Sequence, residues 1–101
     1  MRYCFDFDGT LCETETDNYA SAKPIQWRID IVNKLYDEGN TIIIETARGS
    51  MSGRNWEPLT RFQLNEWGVR YHELRTGTKI AADMYIDDRG ISDDTFFNMH
   101  R

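Results

Sequence analysis

Carboxylates, a hydroxyl and a lysine stand at or near the ends of three hydrophobic segments of this chain. In chain order they are Asp6, Asp8, Thr46, Lys79, Asp87 and Asp88. This is the set of side chains that phosphoryl transfer needs, because a phosphate monoester repels carboxylates unless a cation screens them.

Each of these residue types has a place in that reaction. Clustered aspartates supply oxygen ligands for Mg²⁺, which usually takes one or two carboxylates together with phosphate oxygens. An aspartate can act as the nucleophile and form an aspartyl-phosphate, which divides hydrolysis into two easier steps. A lysine and a hydroxyl can hold the transferring oxygens. A second carboxyl, two residues after the nucleophile, can donate a proton to the leaving oxygen and later take one from water.

The elements that must position these residues alternate between strands and helices. Apolar alternation and β-branched runs predict strands at 3–7, 41–44, 69–74 and 84–86, with a polar loop over 12–22. Helical spacing predicts a helix with Pro24 in its first turn that ends before Gly39, a second that Asn55 caps and that ends before Gly68, and a short one from Ser92 to Met99. This order predicts an α/β fold with a parallel sheet, whose ligands bind at the carboxyl ends of the strands.

Length and composition limit the protein further. The chain has 101 residues, so we expect one domain over 1–101. Its formal net charge of −5 disfavours nucleic-acid binding, which draws on a basic surface. No apolar run is long enough for a membrane span and no secretory signal is evident, which predicts a cytoplasmic protein. Cys4 and Cys12 are not in CxxC spacing, so neither a disulfide nor a zinc site is expected.

The ordered motifs resemble those of the haloacid dehalogenase (HAD) superfamily. Asp6-Phe7-Asp8-Gly9-Thr10 is similar to its DxDGT motif, Thr46 to its second motif, Lys79 to its third, and Ile86-Asp87-Asp88 to its acidic fourth. The motifs follow the family's order and span residues 6 to 88. The resemblance implies a three-layer, Rossmann-like α/β core with a short, mainly parallel sheet.

The resemblance also implies roles for these residues. Asp6 would be the nucleophile and a metal ligand, and Asp8 the general acid and base, with its backbone carbonyl also reaching the metal. Thr46 and Lys79 would bind the phosphoryl group, and Lys79 would also neutralise Asp6. Asp87 would complete a Mg²⁺ site, with Asp88 acting through a bound water. An aspartate at position 8 indicates a phosphatase or phosphomutase.

The chain departs from the family in lacking space for a cap domain. The loop from Leu11 to Lys23 has 13 residues, and the stretch from Arg75 to Asp83 has nine. The resemblance is therefore to the small capless members, some of which are associated with phosphosugar pathways. An open site would suit a large substrate, or a second copy of the chain could supply a lid.

Three arginines are candidates for contact with substrate. Arg48 and Arg54 belong to the glycine-containing loop after the second long strand, and Arg89 follows the acidic fourth motif. Arginine forms bidentate contacts with phosphate or carboxylate, and we include Arg48 in the predicted substrate site.

The expected function is a magnesium-dependent phosphomonoester hydrolase acting on a small phosphorylated metabolite, such as a sugar phosphate. Two alternatives remain open at this point. The same chemistry could serve a macromolecular substrate, either a nucleic-acid end or a phosphoprotein. A non-enzymatic, receiver-like phosphoacceptor domain also gathers carboxylates, a threonine and a lysine around Mg²⁺. Such domains carry the acceptor aspartate on a middle strand, where this chain has Glu45-Thr46.

Overall fold

A three-stranded parallel sheet is the main sheet of the computed structural model, which describes residues 1–16, 18–50, 52–77 and 79–101. Asp17, Met51 and Thr78 lie outside the described residues. The strands are β1 (Arg2–Asp6), β2 (Cys12–Glu13), β3 (Lys23–Pro24), β4 (Thr41–Thr46) and β5 (Glu73–Thr76). The helices are α1 (Gln26–Asp37), α2 (Glu57–Glu66) and α3 (Asp93–Met99), with a short 3₁₀ helix at Tyr19–Ser21.

The main sheet has the strand order β1-β4-β5, and both pairings are parallel. Asp6 is paired with Glu45, and Thr46 is paired with Thr76, so the carboxyl ends of all three strands lie at one edge. The central strand β4 carries Ile42 and Ile44, both fully buried. A β-branched run of this kind suits a strand covered on both faces. The prediction of an α/β fold with a parallel sheet is confirmed.

The helices cover the sheet with regularly spaced apolar side chains. In α1, Ile29, Val32 and Leu35 are buried at intervals of three residues, which places them on one face of the helix. The helix α3 begins as predicted, because the Ser92 side chain accepts a hydrogen bond from the Thr95 N–H and caps the first turn.

An aromatic cluster and a buried arginine fix α3 against β1 and α1. Phe5 contacts Phe96 and Phe97, with ring centroids 5.5 and 5.8 Å apart. The guanidinium of Arg28 forms ion pairs with Asp93 at 2.6 Å and with Asp94 at 2.7 Å. These contacts hold α3 against β1 and α1.

The prediction of a strand at 84–86 is wrong, because this segment forms no strand and Ile86 is 89% exposed. An apolar run adopts strand structure only where a neighbouring strand accepts its backbone hydrogen bonds. The strand predicted at 69–74 begins later, at Glu73. Upstream of it the Val69 N–H bonds to Leu64 and the Arg70 N–H to the Asn33 side chain.

The prediction of an unbroken loop over 12–22 is also corrected. Cys12 and Glu13 form β2, which pairs antiparallel with β3, so Pro24 stands in a strand rather than in the first turn of a helix. Between these two short strands the described residues form only the 3₁₀ helix, and no cap is evident. In the described part of the chain, no helix is long and apolar enough to cross a membrane.

Candidate active site

Asp6 and Lys79 form an ion pair at the carboxyl edge of the sheet. Asp6 is the last residue of β1, and the Lys79 Nζ donates to its Oδ1 at 2.8 Å. Burial of the ammonium lowers the pKa of Lys79, but the hydrogen bond and the charge of Asp6 outweigh this, and the pKa lies above its ordinary value. Lys79 is therefore protonated at neutral pH, and it places a positive charge beside the carboxylate.

Asp8 is held by a set of donors just beyond β1. Its Oδ2 accepts from Arg48 Nε at 2.8 Å, and its Oδ1 accepts from Arg48 Nη2 at 2.8 Å. The hydroxyl of Thr14 donates to the same Oδ1 at 2.6 Å. Both carboxylate oxygens of Asp8 thus accept hydrogen bonds, one pair of them from a single guanidinium.

Arg48 is buried and its three guanidinium nitrogens are all engaged. Besides holding Asp8, its Nη1 donates to Gln63 Oε1 at 2.7 Å and to Thr60 Oγ1 at 3.2 Å, both in α2. Its side chain is fully buried, and its guanidinium carbon lies 4.6 Å from the ring centroids of Phe7 and Tyr19. The structure thus places Arg48 where it orients Asp8. Its role as a predicted substrate ligand stays a prediction.

Thr46 lies at the carboxyl end of β4, close to Arg48 in sequence and in space. It is fully buried, and its Oγ1 accepts a hydrogen bond from the Arg48 N–H at 3.0 Å. Its hydroxyl therefore orders the start of the loop that carries Arg48.

Two cavities meet at the ion pair of Asp6 and Lys79. The first has a volume of about 790 Å³ and is also lined by Asp8, Arg48, Arg54 and Trp56. The second, of about 930 Å³, runs along β1 and is also lined by Asp87 and Arg89. Asp6, Lys79 and Tyr85 line both. A small ligand in either cavity would reach Asp6.

Asp87 and Asp88 lie on an exposed segment. The Oδ1 of Asp87 accepts hydrogen bonds from the Arg89 and Gly90 N–H groups, and these bonds lower the pKa of Asp87 below its ordinary value. Asp87 is therefore ionised at neutral pH. Asp88 is exposed, and its Oδ2 lies 3.9 Å from Arg89 Nε.

The fit of these residues to a divalent cation rests on the chemistry of their donors. Among the residues that the structure describes, no group of three or more His, Cys, Asp or Glu side chains could hold a metal ion. Asp6 and Asp87 nevertheless line one cavity and offer only oxygen atoms. Mg²⁺ usually binds one or two carboxylates and completes its shell with water and phosphate oxygens, so this donor set fits it.

Several residues of this site are not predicted by the sequence analysis. They are Thr14, Tyr19, Thr60, Gln63 and Tyr85. The Tyr85 ring lies 4.8 Å from the Lys79 Nζ. Thr60 and Gln63 are fully or almost fully buried polar side chains in α2. Their helical spacing from one another is visible in the sequence, but their contact with Arg48 is not.

Comparison with known proteins yields a structural relative. No protein-family model and no curated protein matches the chain. A crystal structure of a structural-genomics target from Vibrio cholerae is similar to it, with a TM-score of 0.87 and 26% sequence identity. The match covers 97% of this chain and 88% of that one. The two proteins thus share a fold over nearly all of this chain.

Proposed function

We propose that this protein is a magnesium-dependent phosphomonoester hydrolase of the HAD superfamily, with a capless, Rossmann-like core. It would act through an aspartyl-phosphate on Asp6. The observation that carries the proposal is the ion pair of Asp6 and Lys79 at the carboxyl edge of a parallel sheet, where ligands of such sheets bind. A carboxylate in this setting has an adjacent cation to offset the repulsion of an incoming phosphate.

The first chemical step forms a bond from an Asp6 oxygen to phosphorus and breaks the bond from phosphorus to the leaving oxygen. For this step Asp8 must be protonated and must give up one hydrogen bond from Arg48, and its proton then goes to that leaving oxygen. Asp8 lies two residues after Asp6 and lines the same cavity. Lys79 would shift from the carboxylate towards the phosphoryl oxygens as their charge grows.

The second step returns Asp6 to its starting state. Asp8, now ionised, takes a proton from water, and the water oxygen attacks phosphorus as the bond from phosphorus to Asp6 breaks. The ionised Asp8, held by Arg48, has the hydrogen-bond acceptor geometry that this step requires.

Asp6, Asp87 and the backbone carbonyl of Asp8 would hold Mg²⁺. When bound, the cation would screen the carboxylates and polarise the phosphoryl oxygens. Thr46 and Arg48 would fix the loop and the orientation of Asp8. Their predicted contacts with the substrate stay predictions.

A small phosphorylated metabolite, such as a sugar phosphate, is the proposed substrate class. The first cavity, at about 790 Å³, lies within the range of about 300–1,000 Å³ that is usual for small-molecule sites. The acidic chain, with a net charge of −5, disfavours a nucleic-acid substrate. The proposed enzyme would be cytoplasmic, as predicted above.

The test is phosphate release from p-nitrophenyl phosphate and from a panel of sugar phosphates, with Mg²⁺ and after chelation by EDTA. Activity should require Mg²⁺ and should fall by at least about 1,000-fold in Asp6→Asn, as for the loss of other covalent nucleophiles. Asp30→Asn, an exposed aspartate on α1, is the matched control and should retain activity. Unchanged activity in Asp6→Asn would refute the proposal.

The alternatives have their own outcomes in the same assay. A 3′-phosphorylated oligonucleotide or a phosphopeptide hydrolysed faster than every small phosphate would indicate a macromolecular substrate. A phosphorylated Asp6 that persists for minutes, with little phosphate released, would indicate a receiver-like phosphoacceptor domain.

A further inference from the structure

The first cavity is lined by an arginine in addition to the ion pair of Asp6 and Lys79. Asp6 and Lys79 line it, and so do Arg54 and Trp56 from the loop after β4. Its volume of about 790 Å³ leaves room for a leaving group as well as a phosphate. Arg54 is therefore placed to meet a part of the substrate other than the transferring phosphoryl group.

Arg54 differs from the other arginine of this cavity in its partners. The Arg48 guanidinium is buried and paired with Asp8, whereas Arg54 is exposed. Within the described ranges, the guanidinium of Arg54 has no carboxylate partner; its carbon lies 5.0 Å from the centroid of the Trp56 ring. Stacking on an aromatic face leaves the edge N–H groups of a guanidinium free for a bidentate anion.

The loop fixes where Arg54 lies. The Gly53 N–H donates to the Gly49 carbonyl at 2.8 Å, which closes a tight turn. A Cβ on Gly49 would lie 2.2 Å from the Arg54 carbonyl oxygen, so the chain returns to Gly49 at a distance that only glycine permits. Trp56 in turn packs edge-on against Tyr19, with ring centroids 4.9 Å apart. Arg54 is thus an exposed cation on an ordered support.

We infer that Arg54 binds a second anionic group on the substrate, so that the substrate is a phosphomonoester that also carries a carboxylate or a second phosphate. This inference rests on the proposed function. It follows from charge balance, because Lys79 and Arg48 are each paired with one of the two carboxylates that line this cavity, Asp6 and Asp8, so a second anion needs a further cation. Arg54 supplies that cation, and its planar fork matches either anion.

The experiment compares substrates that differ in one anionic group. The carboxylate arm pairs 6-phosphogluconate with glucose 6-phosphate, and the second-phosphate arm pairs fructose 1,6-bisphosphate with fructose 6-phosphate. We expect the wild-type protein to favour the more anionic member of at least one pair in kcat/KM. The arm with the larger preference identifies the anion.

The variant Arg54→Gln should reduce that preference by about 10- to 100-fold, the usual value of a hydrogen bond to a charged group. Arg54→Lys keeps the charge but loses the bidentate guanidinium, so it should retain part of the preference for the more anionic substrate. Arg61→Gln is the matched control, because Arg61 is exposed on α2 and is paired with Glu57. The control should keep the wild-type preference.

Equilibrium binding to the Asp6→Asn protein measures the same discrimination without turnover. The more anionic ligand should bind more tightly, and adding Arg54→Gln should remove the difference. No preference in either arm, or a preference that Arg54→Gln leaves intact, overturns the inference. Hydrolysis of p-nitrophenyl phosphate by the wild-type protein would still support the proposed function in that case, so the two failures are distinguishable.

Discussion

One guanidinium holds both carboxylate oxygens of Asp8: Arg48 Nε and Nη2 donate to Oδ2 and Oδ1, each at 2.8 Å. The two residues are 40 positions apart, and the third guanidinium nitrogen of Arg48, Nη1, donates to Thr60 and Gln63 of α2. The buried Arg48 side chain therefore links Asp8, just beyond β1, to α2 and fixes the orientation of its carboxylate. Donating a proton requires Asp8 to be protonated and to give up one of these bonds.

The first prediction concerns Arg48→Lys, which keeps the charge and removes the bidentate contact. Asp8 would lose its fixed orientation, so proton donation to a poor leaving group should suffer. We expect kcat/KM for an alkyl phosphate to fall by at least about tenfold, a fraction of the usual contribution of a general acid. The value for p-nitrophenyl phosphate should fall less, because its leaving group needs no proton.

The ratio of these two kcat/KM values is the measurement, since it cancels a general loss of folded protein. Arg70→Lys is the control, because Arg70 forms an exposed ion pair with Asp37. Equal losses for both substrates would show that Arg48 supports the fold without orienting Asp8.

A second prediction concerns Gly49→Ala. Gly49 has a φ of +82°, and the added Cβ would lie 2.2 Å from the Arg54 carbonyl oxygen. We expect a loss of at least about 1–3 kcal/mol in the free energy of unfolding, from backbone strain alone. Gly53→Ala has a similar φ of +72° but open space around its Cβ. Urea titration should show the larger loss for Gly49→Ala, and equal losses would contradict the close approach.

A third prediction concerns acid stability. The hydrogen bond and charge of Arg28 lower the pKa of Asp93 below its ordinary value. This pair therefore stabilises the folded state above about pH 3.9, and the contribution is lost as the pH falls through the lower, folded pKa.

Thermal unfolding as a function of pH tests this contribution. Asp93→Asn should cost about 1 kcal/mol at pH 7, a modest value because the side chain is 37% exposed. The difference from the wild-type protein should shrink as the pH falls below 4. A difference that stays constant down to pH 2 would assign the loss to something other than this ion pair.

A fourth prediction concerns the two thiols. Cys12 is fully buried beside Asp8, and burial raises the pKa of its thiol to about 12. Cys4 is exposed. At pH 8 a disulfide reagent should titrate one thiol in the folded protein and two in denaturant, because the thiolate is the reacting form. Cys4→Ser should abolish the reaction of the folded protein, and rapid reaction of Cys12 in that variant would disprove its burial.

Local pattern in the sequence was enough to predict β1, β4 and the three helices. Apolar spacing and capping residues such as Ser92 act over a few neighbouring positions, so they can be read without knowing the fold. The segment 84–86 has a strand-like composition too, yet it stays outside the sheet, because a strand also needs a partner. That partner is a property of the fold and not of the segment.

Sequence pattern indicated which residues could do chemistry, and it placed the carboxyl ends of β1 and β4 at one edge of a sheet. It was wrong for Asp87 and Asp88, which follow a segment that forms no strand. Which side chains meet depends on how distant segments pack together. Lys79 reaches Asp6 across 73 positions, and Arg48 turns inward to Asp8 while Arg54 stays free of a carboxylate partner in the described chain. Both arginines belong to the segment between β4 and α2. Burial separates them, because a guanidinium removed from water must find partners within the protein, whereas an exposed one is left for a ligand.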